Sequence, residues 1–125
     1  MEQSSPENKR DGHYLGTEVD EKWWKRYMAN KLLARGNGEY RIEQDAFCFH
    51  RLFTRSDIRI RFDDMVDVKI GKWHAGRWYS GWPVVKIIWM KDGKRLSSGF
   101  GIIENRDFAL SLVNDLKERA GIRRD

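Results

Sequence analysis

The 125-residue sequence has one cysteine and two prolines. A lone thiol, Cys48, closes no intrachain disulfide and builds no metal cluster by itself, and it fits a reducing, cytosolic setting. No uncharged apolar run approaches the roughly 18 residues that span a bilayer as a helix, because Lys86 interrupts the best stretch. The opening Met1-Glu2-Gln3-Ser4-Ser5-Pro6 has neither a basic n-region nor an apolar h-region, so no secretory signal is expected. Nucleophile-elbow and P-loop motifs are also missing, as are paired carboxylates with a plausible cleft, so no catalytic residue and no cofactor is assigned. His13, His50 and His74 are dispersed, and Asp57, Asp63, Asp64 and Asp67 lack EF-hand spacing, so no metal is assigned either. Cys48 and His50 stand two apart on a strand, which seldom orients an attack, and no third orienting residue is evident; Cys48 is expected to be a buried thiol. Gly99-Phe100-Gly101-Ile102-Ile103-Glu104 falls short of a dinucleotide loop, since Glu104 replaces the last glycine and would repel a pyrophosphate.

What is present is aromatic. Six Trp, six Phe and four Tyr can fill the core of one small domain, which the length also implies. The formal charge of +5 conceals a split: residues 22–38 hold five basic and no acidic residues, and residues 69–101 hold seven against one. These segments carry +11 together and the rest of the chain -6, a clustering that attracts anions if the two share a face.

Residues 1–16 are polar and are expected to be a flexible tail; residues 17–121 then form a single domain and 122–125 a second short tail. Residues 17–35 have the period of an amphipathic helix, with Thr17, Glu18 and Asp20 at its start and Trp23, Trp24, Tyr27, Met28 and Ala34 on one side. Lys22, Lys25 and Arg26 lie opposite, and Gly36-Asn37-Gly38 would stop it. Alternation then predicts strands: Tyr40 and Ile42, a Gln44-Asp45 turn, Phe47 and Phe49, then Ile58, Ile60 and Phe62. After an Asp63-Asp64 turn come Val66, Val68 and Ile70. Asp92-Gly93 marks a hairpin that sets Trp89 opposite Leu96, Ile87 opposite Ser98 and Val85 opposite Phe100. A last helix is capped by Asn105, repeats Phe108, Ala109, Leu112, Val113 and Leu116, and ends at Gly121.

Meandering strands closed by one C-terminal helix are the layout of a pleckstrin-homology (PH)-like fold. Gly38-Glu39-Tyr40-Arg41-Ile42 with Phe47-Cys48-Phe49, and Ile60-Arg61-Phe62-Asp63-Asp64-Met65-Val66-Asp67-Val68, resemble the GRAM and bacterial PH-like families over roughly residues 31–120. The resemblance implies a mainly β (α+β) fold: a bent antiparallel barrel of six to seven strands capped by the C-terminal helix, here with an N-terminal helical segment. In that family residues 31–35 can instead belong to the first strand. It also implies a non-enzymatic adaptor for lipids, peptides or other domains. Phosphoinositide-binding relatives carry basic residues around the loop joining their first two strands. Gln44-Asp45 there would supply an acid and no base, whereas Gly36-Asn37-Gly38 would be flanked by Lys31, Arg35 and Arg41.

The candidate binding surface is residues 72–83, where three Trp, one Tyr, one His and two bases share twelve positions. Lys69, Lys72, Trp73, His74, Arg77, Trp78 and Trp82 suit recognition of a protein partner or an anionic membrane lipid, the rings supplying buried area and the cations directed contacts. The alternative is that the Trp side chains fold back over the barrel's open end. Lys22 to Lys31 has the same two readings, an interfacial helix or one packed on the barrel. Single-stranded nucleic-acid binding and a small-ligand barrel are the other function classes. A cytoplasmic protein, peripheral at the membrane in the lipid reading, is expected.

Overall fold

The computed structural model describes residues 10–19, 22–26, 36–51, 57–71, 73–74, 77–78 and 82–122; at 22–26, 36–37, 73–74 and 77–78 it is the backbone alone that is described. The strands are β1 (Arg10–Val19), β2 (Lys22–Arg26), β3 (Gly36–Ile42), β4 (Ala46–Arg51), β5 (Asp57–Arg61), β6 (Met65–Gly71), β7 (Trp73–His74), β8 (Arg77–Trp78), β9 (Val84–Lys91) and β10 (Lys94–Ile102). A 3-10 turn, Phe62–Asp64, joins β5 to β6, and one helix, α1 (Arg106–Ala120), closes the chain. The large sheet runs β5-β4-β3-β1-β10-β9-β6, with β2 pairing on β1, and each pair is antiparallel. Its two edges, β5 and β6, are consecutive in the chain, so the 3-10 turn carries it from one side of the sheet to the other.

The hairpin between β9 and β10 has the expected register, Trp89 with Leu96, Ile87 with Ser98 and Val85 with Phe100. Asp92 (φ 52°) and Gly93 (φ 76°) both take positive φ, as the tight right-twisted turn requires. Phe100 is central to the core, with its ring 4.9 Å from Phe47, 5.4 Å from Phe49 and 5.5 Å from Tyr14. Helix α1 begins as expected, the Asn105 side chain accepting from the Phe108 N–H at 2.8 Å, and ends on left-handed Gly121. Ala109, Leu112, Val113 and Leu116 are its buried stripe, and they pack against β6, the 3-10 turn and β9.

Five expectations are corrected. Arg10 to Gly16 are not a tail: they begin the central strand, and Tyr14 has no exposed surface. Apolar content misleads there, because β1 is held by neighbours on both edges rather than by a hydrophobic run of its own. The helix expected over 17–35 is strand at Thr17 to Val19 and at β2, where Lys22 pairs with Val19; the remaining positions, and the alternative first strand at 31–35, lie outside the described residues. Pairing with β1 overrides helical spacing here, and adjacent Trp residues suit a strand as well as a helix. Gly36-Asn37-Gly38 is not a helix stop but the start of β3. A Cβ on Gly38 would lie 2.1 Å from the His50 carbonyl oxygen, so β3 and β4 approach too closely for any side chain. Lastly Val66 is 40% exposed, because a bulge between Met65 and Asp67 moves the buried positions to Met65 and Val68. Ile122, assigned to a tail, packs on the core, and 123–125 lie outside the described residues.

A second bulge, between Tyr14 and Gly16, rephases β1. Strict alternation from Tyr14 would point Gly16 and Glu18 inward; the extra residue brings Thr17 inward instead. Thr17 Oγ1 lies 2.5 Å from the Tyr14 hydroxyl and 2.7 Å from Ser98 Oγ, which accepts from Trp89 Nε1 at 2.9 Å. This buried polar chain links β1, β10 and β9 inside the core.

Candidate functional site

The basic-aromatic segment departs from the sheet at the end of β6. Gly71 is the Cα partner of Val84, and between them β7 and β8 form a separate hairpin with Trp73 opposite Trp78 and His74 opposite Arg77. β7 lies beside β9. Lys72 is outside the described residues, so of the seven expected binding residues the structure brings six to this end of the sheet. Lys69 is exposed on β6 with Lys86 as its cross-strand partner. The Ile102 N–H donates to the Pro83 carbonyl at 3.0 Å, so Trp82 and Ile103 stand side by side just past that bond, each 41% exposed. Trp82 therefore does not fold into the core. Ile103 has no periodic signal in the sequence, and only its pairing at Ile102 shows that it extends the Trp82 surface.

Among the described strands the two basic segments lie on either side of β1, and their cations come nearest at its C-terminal end. Lys22 pairs with Val19, and Val19 pairs with Leu96, beside Lys94 and Arg95 at the start of β10. The aromatic hairpin is remote from that row: Val84 aligns with Gly101 and then His13, six residues from Val19 on β1, or about 20 Å along a strand. The cations of the two segments that lie among the described residues are thus divided between two ends of the sheet. The connection between β1 and β3, which the phosphoinositide-type comparison turns on, is neither Gln44-Asp45 nor Gly36-Asn37-Gly38 but residues 20–35, which contain β2.

The remaining polar constellations are accounted for by their partners. Asp57 is paired with His50 (Oδ1 to Nδ1 2.5 Å), Asp63 with Arg61, and Asp67 with Lys117 while accepting the Val68 N–H. Among the described residues no three His, Cys, Asp or Glu side chains converge as metal ligands. Asp57 is the orienting acid for His50 that spacing did not reveal; it comes from the neighbouring strand. The Cys48 thiol is nevertheless poorly placed to attack. Burial pushes its pKa up to about 11, the Glu43 carboxylate adds to the rise, and Arg59 Nη1 lies 3.5 Å from the sulfur. Glu43 itself is shifted up by burial and pulled further down by hydrogen bonds from Arg59 and Arg41, so that its pKa is lowered overall. With Asp45 also on Arg59, charged groups guard edge strand β5.

The strand order, the bulged central strand and the single C-terminal helix have a counterpart in sequence: the model of the family described as "Bacterial PH domain-like" matches residues 2–115. The chain belongs to that family. No curated protein matches it. A bacterial PH-like domain is in general a binding module, and no helix among the described residues is long and apolar enough to cross a membrane.

Proposed function

We propose that this PH-like domain is a non-catalytic adaptor that docks a protein partner on the end of the sheet formed by Lys69, the β7–β8 hairpin and Trp82. The observation that carries this reading is the exposure of Trp82 beside Ile103, next to a strand pair that carries Lys69 and Lys86. Large rings at an exposed edge gain the most from burial against another surface, and flanking cations select an acidic rim. An anionic membrane is the competing target, and salt separates them. Attraction of Lys and Arg to acidic lipid falls steeply with ionic strength, whereas an aromatic protein interface persists. Capture from cell lysate at low and high salt, beside flotation with phosphatidylserine vesicles, makes the comparison. Salt-resistant capture that disappears in a folded Arg77→Ala/Trp78→Ala variant supports the protein reading. Salt-sensitive flotation lost in the same variant moves the assignment to the membrane, and binding unchanged by the substitutions rejects this surface.

A further inference from the structure

The sheet carries two pairs of like charges on its outer face. Asp11 on β1 is the Cα partner of Glu39 on β3, and Lys69 on β6 is the Cα partner of Lys86 on β9. Tyr40, Val68 and Ile87, the neighbours of Glu39, Lys69 and Lys86, belong to the core, so alternation turns the charged residues outward. Asp11 and Lys69 are exposed there, Glu39 and Lys86 half-buried. Like charges directly opposite one another destabilise a strand pair. The strands beyond add no strong counter-charge: Gly12 pairs with Ile102, which sets Asp11 beside Ile103, Lys86 faces Gly99, and His50 next to Glu39 is already held by Asp57. On the basic side, residues 68–91 hold five cations and no acid.

Both pairs stand at about the same distance from Trp82. Asp11 borders Ile103 and Ile103 borders Trp82, so Asp11 is two strands away, about 10 Å at ordinary strand spacing. Lys86 is four residues along the chain from Trp82, but its side chain leans back over Gly71: a Cβ there would lie 3.7 Å from the Lys86 ammonium nitrogen. Gly71 pairs with Val84, two residues from Trp82, which brings that ammonium within about 10 Å of Trp82 as well. Acid and base thus lie in different directions from one exposed ring. Under a twofold axis, two different residues can meet only if they stand equally far from the axis. Two copies meeting at Trp82 therefore set the acidic pair of each against the basic pair of the other. Such a contact is self-complementary, covers Trp82 and Ile103, each 41% exposed, and offsets both like-charge pairs at once.

We propose that the protein partner is a second copy of this chain, in a twofold dimer centred on Trp82 with the Asp11–Glu39 pair of each copy against the Lys69–Lys86 pair of the other; this rests on the docking surface proposed above. Sedimentation equilibrium of the full chain at about 0.1 M salt, from about 10 µM to about 1 mM, should show the mass rising from one chain to two. Asp11→Lys/Glu39→Lys leaves two basic pairs and Lys69→Glu/Lys86→Glu two acidic ones, and each variant should self-associate at least tenfold more weakly. Mixed in equal amounts, the two should form a one-to-one heterodimer within about threefold of the parent affinity, because each reversed pair then meets its opposite. That recovery also shows both to be folded. Trp82→Ala should weaken the parent dimer and the mixture alike. Where a double reversal does not fold, Asp11→Asn/Glu39→Gln takes its place and should weaken the dimer about threefold. The proposal is overturned by a chain that stays single over the whole range, by folded reversals that do not associate when mixed, or by a dimer indifferent to these substitutions. A single chain that still captures a lysate protein through Arg77 and Trp78 overturns the dimer and keeps the docking surface with another occupant, whereas a single chain without capture rejects both.

Discussion

Replacing Thr17 with valine tests the buried polar chain that ties β1 to the β9–β10 hairpin. Thr17 is 4% exposed, and valine keeps its shape while removing the oxygen that contacts both the Tyr14 hydroxyl and Ser98 Oγ. Two buried hydrogen bonds are lost, each worth about 1–1.5 kcal/mol net. The added methyl returns about 0.8 kcal/mol by its own burial. The expected net loss is about 1–2 kcal/mol, or roughly 4–8 °C in melting temperature for a domain of this size. Urea unfolding should show a lower midpoint with an unchanged slope, because the same surface is exposed on unfolding. Ser98→Ala should cost more, since Trp89 Nε1 loses its acceptor as well. Combined with Thr17→Val it should fall short of additivity by about 1 kcal/mol, as expected for residues in one network. A Thr17→Val change below about 0.5 kcal/mol, or strict additivity in the cycle, would falsify the claim that the rephased strand is held by these hydroxyls.

Three further outcomes are expected. Gly38→Ala should destabilise by at least about 3 kcal/mol, because the new Cβ meets backbone that cannot yield, whereas Gly93→Ala, strained at φ 76° but with open space around it, should cost about 1–2 kcal/mol; paired urea titrations check the contrast. With its pKa near 11, Cys48 at pH 8 should be about one part in a thousand thiolate, so Ellman's reagent should label it in urea and at least a hundredfold more slowly in the native state; rapid native labelling contradicts the buried thiol. The lowered pKa of Glu43 contributes stability above its unfolded pKa of about 4.5 that is lost as pH falls through the folded value. Glu43→Gln should therefore narrow the gap between stability at pH 6 and pH 3, by less than about 1 kcal/mol given the exposure of the pair, and an equal gap in the two proteins rejects this.

Local chemistry made the second half of the chain legible. The Asp92-Gly93 turn, the alternation of Val85, Ile87 and Trp89, and the Asn105 and Gly121 caps act within a few residues, so spacing alone reports them. The first half depends on partners distant in sequence. β1 has few apolar residues and two glycines, and it is a strand because β10 and β3 flank it; Gly12 sits where a Cβ would lie 3.0 Å from the Gly101 carbonyl. Helical spacing at residues 17–19 and 22–26 loses to strand pairing for the same reason.

The candidate sites divide in the same way. The density of Trp and Arg in residues 72–83 is a compositional signal, whereas the placement of Ile103 beside Trp82 follows from one cross-strand hydrogen bond. The like-charge pairs have no signature in the sequence, since Asp11 meets Glu39 and Lys69 meets Lys86 only through strand register. By itself the sequence determined the strands and helix whose turns and caps are local, the family, and where the charge is concentrated along the chain. Only the tertiary structure decided which polar strand lies at the centre, that the described cations of the two basic segments lie at two ends of the sheet, and that the buried Tyr40 phenol is left without a partner among the described residues. Periodicity reports the faces of an element, while pairing register and helix placement arise from contacts between residues far apart in the chain.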